Sequence, residues 1–284
     1  MKEINDNEIR IIGHKPPKDH KKIITIAAVA VIVAIIAYIL IRVIATKPVN
    51  ESKDKRETEQ TSQKTAVTTN DSTMRPYTEI SDTTINDVKL CIYTPCNAVA
   101  ELQLDKLDTS NPEIVLAAQA AFVYLNNNDE EVLDDFVLKG EQLSYGKSKN
   151  GYCSIIGNEI KLGRCDNNTC CEEAVEGKGY FFRQYSLVSD SLPVKVTDKR
   201  KAVRNALCWY KGNICVIGTQ ERESFHDFSQ ALADLGVSEA VNLIGGNKTV
   251  FAMDRDGKKT DTKLEGKVEK TNYIVWKATD SRSK

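Results

Sequence analysis

Two kinds of hydrophobic pattern divide the chain. Residues 23–41 form an uncharged run of about 19 positions, which at about 1.5 Å per helical residue matches a hydrocarbon layer about 30 Å thick. Further along, short apolar runs of strand length recur between turn residues, a spacing typical of β structure. The pattern therefore predicts a transmembrane helix over 23–45 and a β-rich domain over 83–280.

The domain contains several predicted strands and one clear helix. Residues 224–235 have apolar side chains at helical spacing, with Ser224 as the N-cap and Gly236 ending the helix. Asn111 and Pro112 favour a further helix start, so the Ala-rich segment after them is left open between helix and strand. We expect an α+β fold with a mixed, mostly antiparallel sheet and few helices. The predicted strands are 88–93, 151–156, 180–185, 206–210, 213–217, 240–244 and 273–277.

Charge around the span predicts its orientation. Four lysines crowd its N-terminal side, namely Lys15, Lys18, Lys21 and Lys22. By the positive-inside rule, 1–22 is a cytoplasmic tail and the domain lies outside the cell membrane, in a periplasmic or extracellular space. The sequence Val43-Ile44-Ala45 also fits a signal-peptidase site, but the long polar segment before the span favours an uncleaved single-pass anchor.

Residues 46–82 are dominated by Lys, Glu, Thr, Ser, Gln and Asn. Such a composition cannot bury enough apolar surface to offset the entropy of ordering, so this segment is predicted to be a flexible, disordered linker. The whole chain has 39 Lys and Arg against 40 Asp and Glu, a net charge of −1 with both signs intermixed. We therefore expect no nucleic-acid partner.

Cysteine usage agrees with an exported domain. All 8 cysteines follow the span, and an even number in that compartment favours disulfides. Cys153, Cys165 and the vicinal Cys170-Cys171 lack the paired knuckles of structural zinc sites, so no metal is expected. Buried thiols that act as small apolar side chains are the other open alternative.

Local geometry suggests one disulfide pair, and closeness along the chain suggests a second. A hairpin with a two-residue turn at Lys211-Gly212 would place Cys208 directly across from Cys215. Cys91 and Cys96 are close enough along the chain to close a small loop. The other pairings stay undetermined.

Residues 224–253 read SFHDFSQALADLGVSEAVNLIGGNKTVFAM, which is a helix, a connector, a buried strand and a Gly-Gly turn. This order resembles the C-terminal signature of the phosphodiester glycosidase family, which includes the mannose 6-phosphate uncovering enzymes. Members have a Leu-Gly, then a strand ending Asn-Leu-Asp-Gly-Gly, then hydroxylated residues and a Met. The matching residues here are Leu235-Gly236, Asn242-Leu243, Gly245-Gly246, Thr249 and Met253, and Ile244 replaces the family's Asp.

The resemblance extends upstream with decreasing specificity. Residues 204–208 resemble the family's Arg-Thr-Ala-Ile-Gly element, and residues 185–188 resemble the segment just before it. Residues 117–123 can be laid over a family strand that ends Asn-Gly-Gly-Phe-Phe, so Gln119, Ala120 and Ala121 would replace its polar and glycine positions. This match favours a strand for the ambiguous Ala-rich segment.

The resemblance implies that Arg204, Asn242, Gly245 and Gly246 bind the substrate. Planar guanidinium suits phosphate, and glycine turns let backbone N–H groups approach a ligand. The alternatives without ligand binding are that Arg204 forms a surface ion pair and that the two glycines only form a turn. No cofactor is expected, and the catalytic residues are unknown because isoleucine cannot transfer a proton. The remaining candidate carboxylates are Glu221, Glu239, Asp254 and Asp256, and His226 is interpreted as a surface residue.

We therefore expect a membrane-anchored, extracytoplasmic domain that acts on or binds phosphodiester-linked or phosphorylated glycans. Its catalysis is lost or altered, so whether it is a hydrolase stays open. The alternative is a non-catalytic structural or protein-binding module of the cell envelope, which leaves room for a protein partner.

The predicted topology can be tested directly. Protease added to intact cells or spheroplasts should degrade the 83–280 domain and leave a small membrane fragment, because only the tail and the span are shielded. Immunoblotting with tags at both ends measures this, and permeabilised cells are the control. Full protection of the domain in intact cells would contradict the orientation.

Overall fold

Antiparallel β-sheets dominate the structure. The computed structural model describes residues 63–67 (backbone), 75–104, 107–121, 134–195, 198–246, 249–260 and 271–278. Within these residues there are 17 strands and 2 helices, all in the compact unit Thr58–Lys284. The helices are α1 (Thr169–Glu176) and α2 (Phe225–Leu235). The predicted α+β class, with mostly antiparallel strands and few helices, is confirmed for this unit.

Three sheets share the strands, and every strand pairing described is antiparallel. Sheet 1 contains β1 (Gln63–Val67), β6 (Phe136–Leu138), β7 (Glu141–Ser144), β8 (Gly151–Ile156), β9 (Glu159–Arg164) and β10 (Tyr180–Gln184). Sheet 2 contains β2 (Tyr77–Ile85), β3 (Val88–Cys96), β11 (Ser186–Ser189), β12 (Leu192–Pro193), β13 (Asn205–Tyr210), β14 (Asn213–Thr219) and β15 (Glu239–Leu243). Sheet 3 contains β4 (Val99–Leu104), β5 (Ile114–Gln119), β16 (Val250–Ala252) and β17 (Asn272–Lys277).

The strand orders show how distant segments meet. Sheet 1 runs β1-β9-β8-β10-β6-β7, sheet 2 runs β12-β11-β15-β13-β14-β3-β2, and sheet 3 runs β16-β5-β17-β4. In sheet 2, β15 therefore lies between β11 and β13, and in sheet 3, β5 lies between β16 and β17. Each of the predicted strands is found, with ends shifted by a few residues at most.

A central apolar core lies where the three sheets face one another. Leu162 of sheet 1, Val216 of sheet 2 and Leu116 of sheet 3 all belong to it and are fully buried. Strand residues alternate between faces, so the neighbours of Val216, namely Cys215 and Ile217, point to the opposite side of sheet 2. Each of the three sheets therefore buries one of its faces in this shared core.

Helix α2 covers the outer face of sheet 2. The Ser224 hydroxyl accepts a hydrogen bond from the Asp227 N–H at 3.1 Å and caps the helix, and Gly236 ends it at φ +95°. Phe228 and Leu232 are fully buried against this face. Removing each of them from water contributes about 1.5–3 kcal/mol. The predicted helix and both of its caps are confirmed.

The structure resolves one ambiguous segment and adds one helix. The Ala-rich run after Pro112 forms strand β5, because it pairs on both sides with β16 and β17. Helix α1 has no counterpart among the predicted elements. It is 8 residues long, and although Asn168 and Gly177 at its two ends are common helix-capping residues, Asn168 makes no side-chain capping bond.

Strands also occur within the range predicted to be a linker. Strand β1 and the first part of β2 fall inside 46–82. Backbone pairing explains both cases, because β1 adds to the edge strand β9 and β2 pairs with β3 along its whole length. In addition, the buried Thr78 donates its hydroxyl to the Val115 carbonyl at 2.6 Å. Polar composition alone does not prevent a segment from completing a sheet edge.

The cysteines do not form the predicted disulfides. All eight lie in the described residues and none is in a disulfide. Cys91 and Cys96 lie five positions apart on the single strand β3, so their Cα atoms are about 16 Å apart, far beyond disulfide reach. The small-loop prediction is therefore wrong.

Cys208 and Cys215 do face each other across the β13–β14 hairpin, as predicted. Lys211 and Gly212 both have positive φ, which is the two-residue turn expected for this hairpin. Counted back from that turn, the two cysteines occupy a hydrogen-bonded pair, where side chains stand further apart than at the alternate pairs. They pack as free thiols beneath α2, and burial raises the pKa of Cys215 to about 12.

The predicted membrane span, 23–45, and the cytoplasmic tail, 1–22, lie outside the described residues. Within the described part of the chain, no helix is both long enough and apolar enough to cross a membrane.

Two buried ion pairs lie at one end of sheet 1. The Arg183 Nε donates to Asp135 Oδ2 at 2.7 Å, and the two side chains are 1% and 4% exposed. The Lys149 Nζ lies 3.2 Å from Asp134 Oδ2, and this pair is similarly buried. Hydrogen bonds from Ser148 and the charge of Lys149 lower the pKa of Asp134 although burial opposes them. These charges are fixed by mutual pairing in a dry environment.

Breaking one buried pair should destabilise the domain far more than breaking an exposed one. Asp135→Asn leaves the Arg183 charge buried without its partner, and we expect a loss of about 3–5 kcal/mol in the free energy of unfolding. The control is Glu221→Gln, in a pair with Lys89 whose side chains are more than half exposed, and no measurable loss is expected there because water screens the two charges. Urea denaturation measures the free energy of unfolding of both variants. Equal losses would contradict the conclusion that the Arg183–Asp135 pair is buried and the Lys89–Glu221 pair is exposed.

Candidate functional site

The end of β5 and the end of β15 lie side by side. The Ile244 N–H donates to the Gln119 carbonyl at 3.1 Å and joins sheet 2 to sheet 3. These are two of the segments on which the family resemblance rests, although 125 positions separate the two residues (244 − 119). The structure therefore brings the two motifs together.

Asn205, at the start of β13, ties these ends to the loop after the Gly-Gly turn. Its Nδ2 donates to the Ile244 carbonyl at 3.0 Å and to the Thr249 hydroxyl at 2.7 Å. The Thr249 hydroxyl in turn donates to the Gly246 carbonyl at 3.0 Å. The Thr249 carbonyl accepts from the Gln119 N–H at 3.0 Å. These bonds close a ring of neutral polar groups.

Asn272, the first residue of β17, holds the two residues that follow Gln119. Its side chain accepts from the Ala121 N–H at 2.8 Å and donates to the Ala121 carbonyl at 3.3 Å. Its own carbonyl accepts from the Ala120 N–H at 3.0 Å, and the residue is fully buried. The candidate site is defined here as Gln119, Asn205, Ile244, Gly245, Gly246, Thr249 and Asn272.

Sequence reasoning assigned no role to Asn205 or Asn272. Both are asparagines at the start of an otherwise apolar strand, and this is the only signal that the sequence offers for them. Their partners lie tens of positions away, so the pattern along the chain could not have named them.

Gly245 is required by a close approach of the backbone. A Cβ added there would lie 2.1 Å from the Val203 carbonyl oxygen. Gly246 adopts φ +130°, a conformation that L side chains rarely reach. The two predicted ligand-binding glycines therefore have clear structural roles, and their contact with a ligand stays a prediction.

Arg204 lies next to the candidate site but its guanidinium points to the N-terminus of α2. Its Nε donates to the Glu223 carbonyl at 3.0 Å, and its Nη2 donates to the Arg200 carbonyl. The guanidinium carbon lies 3.7 Å from the centre of the Phe225 ring, a cation–π contact. Burial lowers the pKa of Arg204, against the opposing charge of Asp198. The group thus holds two loops together, and its predicted phosphate contact stays a prediction.

Asn242 lies on the α2 side of sheet 2. It is buried and pairs in register with Ala206. Its neighbours on that face, Ala206 and Ala240, belong to the apolar cluster under α2. Its N–H donates to the Tyr185 carbonyl at 2.8 Å. The structure therefore places Asn242 and Asn205 on opposite faces of sheet 2, and a ligand contact for Asn242 stays untested.

Ile244 occupies the position of the family's Asp and is largely buried. Each hydrogen bond of the ring described above runs between amide, hydroxyl or backbone groups. Three of the four candidate replacement carboxylates have partners away from the ring. Glu221 pairs with Lys89 at 2.7 Å, Glu239 accepts from the Asp190 N–H at the other end of β15, and Asp254 caps the turn that holds Asp256.

The candidate site therefore offers neutral hydrogen-bond donors and acceptors. Gln119, Gly245, Gly246 and Thr249 are half-buried and form its accessible part. Such groups suit the hydroxyl and amide groups of a sugar, whereas proton transfer requires a titratable side chain. His226 is exposed on α2, as predicted. Within the described residues there is no group of three or more His, Cys, Asp or Glu that could hold a metal ion.

Neither a protein-family model nor a curated protein sequence matches this chain. Among solved structures, it matches the zebrafish N-acetylglucosamine-1-phosphodiester alpha-N-acetylglucosaminidase catalytic domain auto-inhibited by pro-peptide. The TM-score is 0.52 at 11% identity, over 75% of this chain and 87% of that chain. It also matches a hypothetical protein from Synechocystis, with a TM-score of 0.43 and 12% identity over 71% of this chain and 62% of that chain.

The first match shows a distant relationship of fold. The chain shares the architecture of a phosphodiester glycosidase catalytic domain, which agrees with the resemblance of the C-terminal signature. At 11% identity, this similarity is evidence for a shared fold alone.

The close approach at Gly245 yields a test of the site's construction. Gly245→Ala should prevent folding or reduce the free energy of unfolding by more than about 3 kcal/mol, because the Val203 carbonyl must move. The control is Gly157→Ala, where a Cβ meets nothing within 4 Å and only the left-handed backbone costs about 1–2 kcal/mol. Thermal unfolding measures both, and a Gly245→Ala protein as stable as Gly157→Ala would contradict the geometry.

Proposed function

We propose that this protein is a phosphodiester-glycosidase-like module that binds phosphodiester-linked or phosphorylated glycans and has lost hydrolysis by the family's carboxylate. The sequence signature and the shared fold support the ligand class. The predicted span over 23–45 would hold the module on the outer side of the cell membrane.

The observation that carries the proposal is Ile244. It lies where the ends of β5, β13 and β15 converge, and it is hydrogen-bonded there through its N–H and its carbonyl. Its side chain cannot donate a proton, accept one, or stabilise a cationic sugar. The loss of general acid–base assistance typically lowers the rate about 10²–10⁴-fold, whereas hydrogen bonds to sugar hydroxyls and amides do not need that carboxylate.

The decisive experiment compares binding with hydrolysis in the full-length protein. The probes are N-acetylglucosamine 1-phosphate and its methyl phosphodiester, with calorimetry for binding and release of free sugar for hydrolysis. We expect binding of at least one probe and no sugar release above the buffer rate. Hydrolysis by the unmodified protein would contradict the loss of catalysis, and binding of neither probe would favour the structural or protein-binding alternative.

Ile244→Asp should introduce measurable sugar release, and Ile244→Asn is its matched control because it has the same shape without the charge. Both substitutions place a polar group in a largely buried position, so we expect each to reduce stability by about 1–3 kcal/mol. Sugar release by the Asp variant alone would identify the missing carboxylate as the reason why the unmodified protein does not hydrolyse the probe. Equal activity in both variants would contradict that explanation.

Arg204 is the proposed phosphate contact. Replacement of a charged donor costs about 1.5–3 kcal/mol, so Arg204→Ala should weaken binding of the sugar phosphate about 10- to 100-fold. Arg222 is the matched control, since it is exposed nearby and donates two hydrogen bonds to the Lys201 carbonyl. Arg222→Ala should leave binding unchanged. Equal losses of affinity in both variants would show that the substitutions act by disturbing the loops before α2, and not by removing a phosphate contact.

A further inference from the structure

A cluster of thiols lies under α1, well apart from the polar ring of the candidate site. Cys165 follows the last residue of β9, and Cys170 and Cys171 lie in the first turn of α1. All three are buried in one small cluster with Tyr152 and Phe181. Nothing in the proposed glycan binding uses these residues.

The thiols of Cys165 and Cys170 touch each other. Their side chains are in hydrogen-bond contact. Arg183 fixes the chain between them, because its guanidinium donates to the carbonyls of Cys165 and Asn167. The Asn167 side chain also lies 3.3 Å from the Cys165 sulfur. The loop is therefore held in a shape that keeps the two sulfur atoms adjacent.

Tyr152 provides an independent observation on the same cluster. It is fully buried, and its hydroxyl has no hydrogen bond of normal geometry among the described residues. The hydroxyl faces the thiol of Cys170. A buried hydroxyl without a well-formed bond is unusual in a folded core, and an O–H donor at this place can stabilise a thiolate that forms beside it.

We propose that Cys165 and Cys170 form an intramolecular disulfide that fastens the start of α1 to the end of β9. The oxidant is a disulfide of the glutathione type. The Cys165 thiolate attacks one sulfur of the oxidant and releases the first thiolate product, which gives a mixed disulfide. Cys170 then loses its proton and attacks the Cys165 sulfur, and the second thiol leaves. Two cysteine thiols are oxidised, and one disulfide is reduced to two thiols.

The surroundings assign the two roles. The side chain and the N–H of Cys170, together with the charge of Arg183, lower the pKa of Cys165 to about 6, although burial opposes this. Cys165 is therefore the more acidic thiol of the pair and the one that more readily forms the attacking thiolate. The adjacent Cys165 raises the pKa of Cys170, so Cys170 is the resolving thiol. Burial raises the pKa of Cys171 to about 11, which leaves that thiol unreactive.

Access to the buried pair is provided by the start of α1. Asn168 makes no side-chain capping bond to the helix, and a missing cap weakens a first turn by about 1 kcal/mol. Local opening of such a terminus is far easier than global unfolding. The oxidant can therefore reach Cys165 without disruption of the sheets.

The test equilibrates the full-length protein in glutathione buffers from reducing to oxidising, followed by acid quenching, alkylation in denaturant and mass spectrometry. In the oxidised protein we expect the tryptic peptide 165–178, which contains three cysteines, to carry one alkyl group, on Cys171. Its mass should also be lower by about 2 Da, for the two hydrogens removed. Three alkyl groups at every glutathione ratio would overturn the proposal, as would a link that includes Cys171.

Variants sharpen the assignment. Cys171→Ser should keep the loss of about 2 Da at the same glutathione ratio, and Cys170→Ser should abolish it. Persistence of the mass loss in Cys170→Ser would overturn the pairing. If Cys170→Ser fails to fold, the unmodified protein and Cys171→Ser still decide, because each locates the alkylated cysteine directly.

Discussion

Three antiparallel sheets bury their inner faces in one shared apolar core, and the rest of the structure depends on this burial. Leu162, Val216 and Leu116 come from different sheets and meet at full burial. Because strand residues alternate, each sheet must cover its other face separately. Helix α2 does this for sheet 2 and α1 for part of sheet 1, and a third peripheral cluster lies on the outer face of sheet 3.

Buried polar groups in such an arrangement need hydrogen-bond partners, and the ends of strands leave backbone groups that can provide them. The candidate site lies at this kind of place, where β5, β13, β15 and β17 begin or end around Asn205 and Asn272. Its hydrogen bonds are satisfied internally by neutral partners. That chemistry suits sugar recognition and gives no proton donor for glycosidic cleavage, while the nearby Arg204 stabilises the loops before α2.

Two buried ion pairs and three of the eight cysteines lie elsewhere, at the end of sheet 1 near α1. Arg183 links both kinds of group, since it pairs with Asp135 and also holds the carbonyls on either side of Asp166. One buried cation thereby fixes a loop, lowers the pKa of the neighbouring Cys165 thiol and balances a buried carboxylate. The protein thus separates a neutral polar site from a buried cluster of charges and thiols.

The sequence by itself determined the local elements. Periodicity gave seven strands and α2, the turn residues Lys211 and Gly212 gave the register of Cys208 opposite Cys215, and the Gly-Gly signature indicated the fold. Only the tertiary structure decided that the Ala-rich segment is a strand, that β1 completes a sheet edge, and that Gln119 bonds to Ile244. The physical reason is that local patterns are set by neighbours along the chain, whereas these hydrogen bonds join residues from distant segments and exist only once the sheets have assembled.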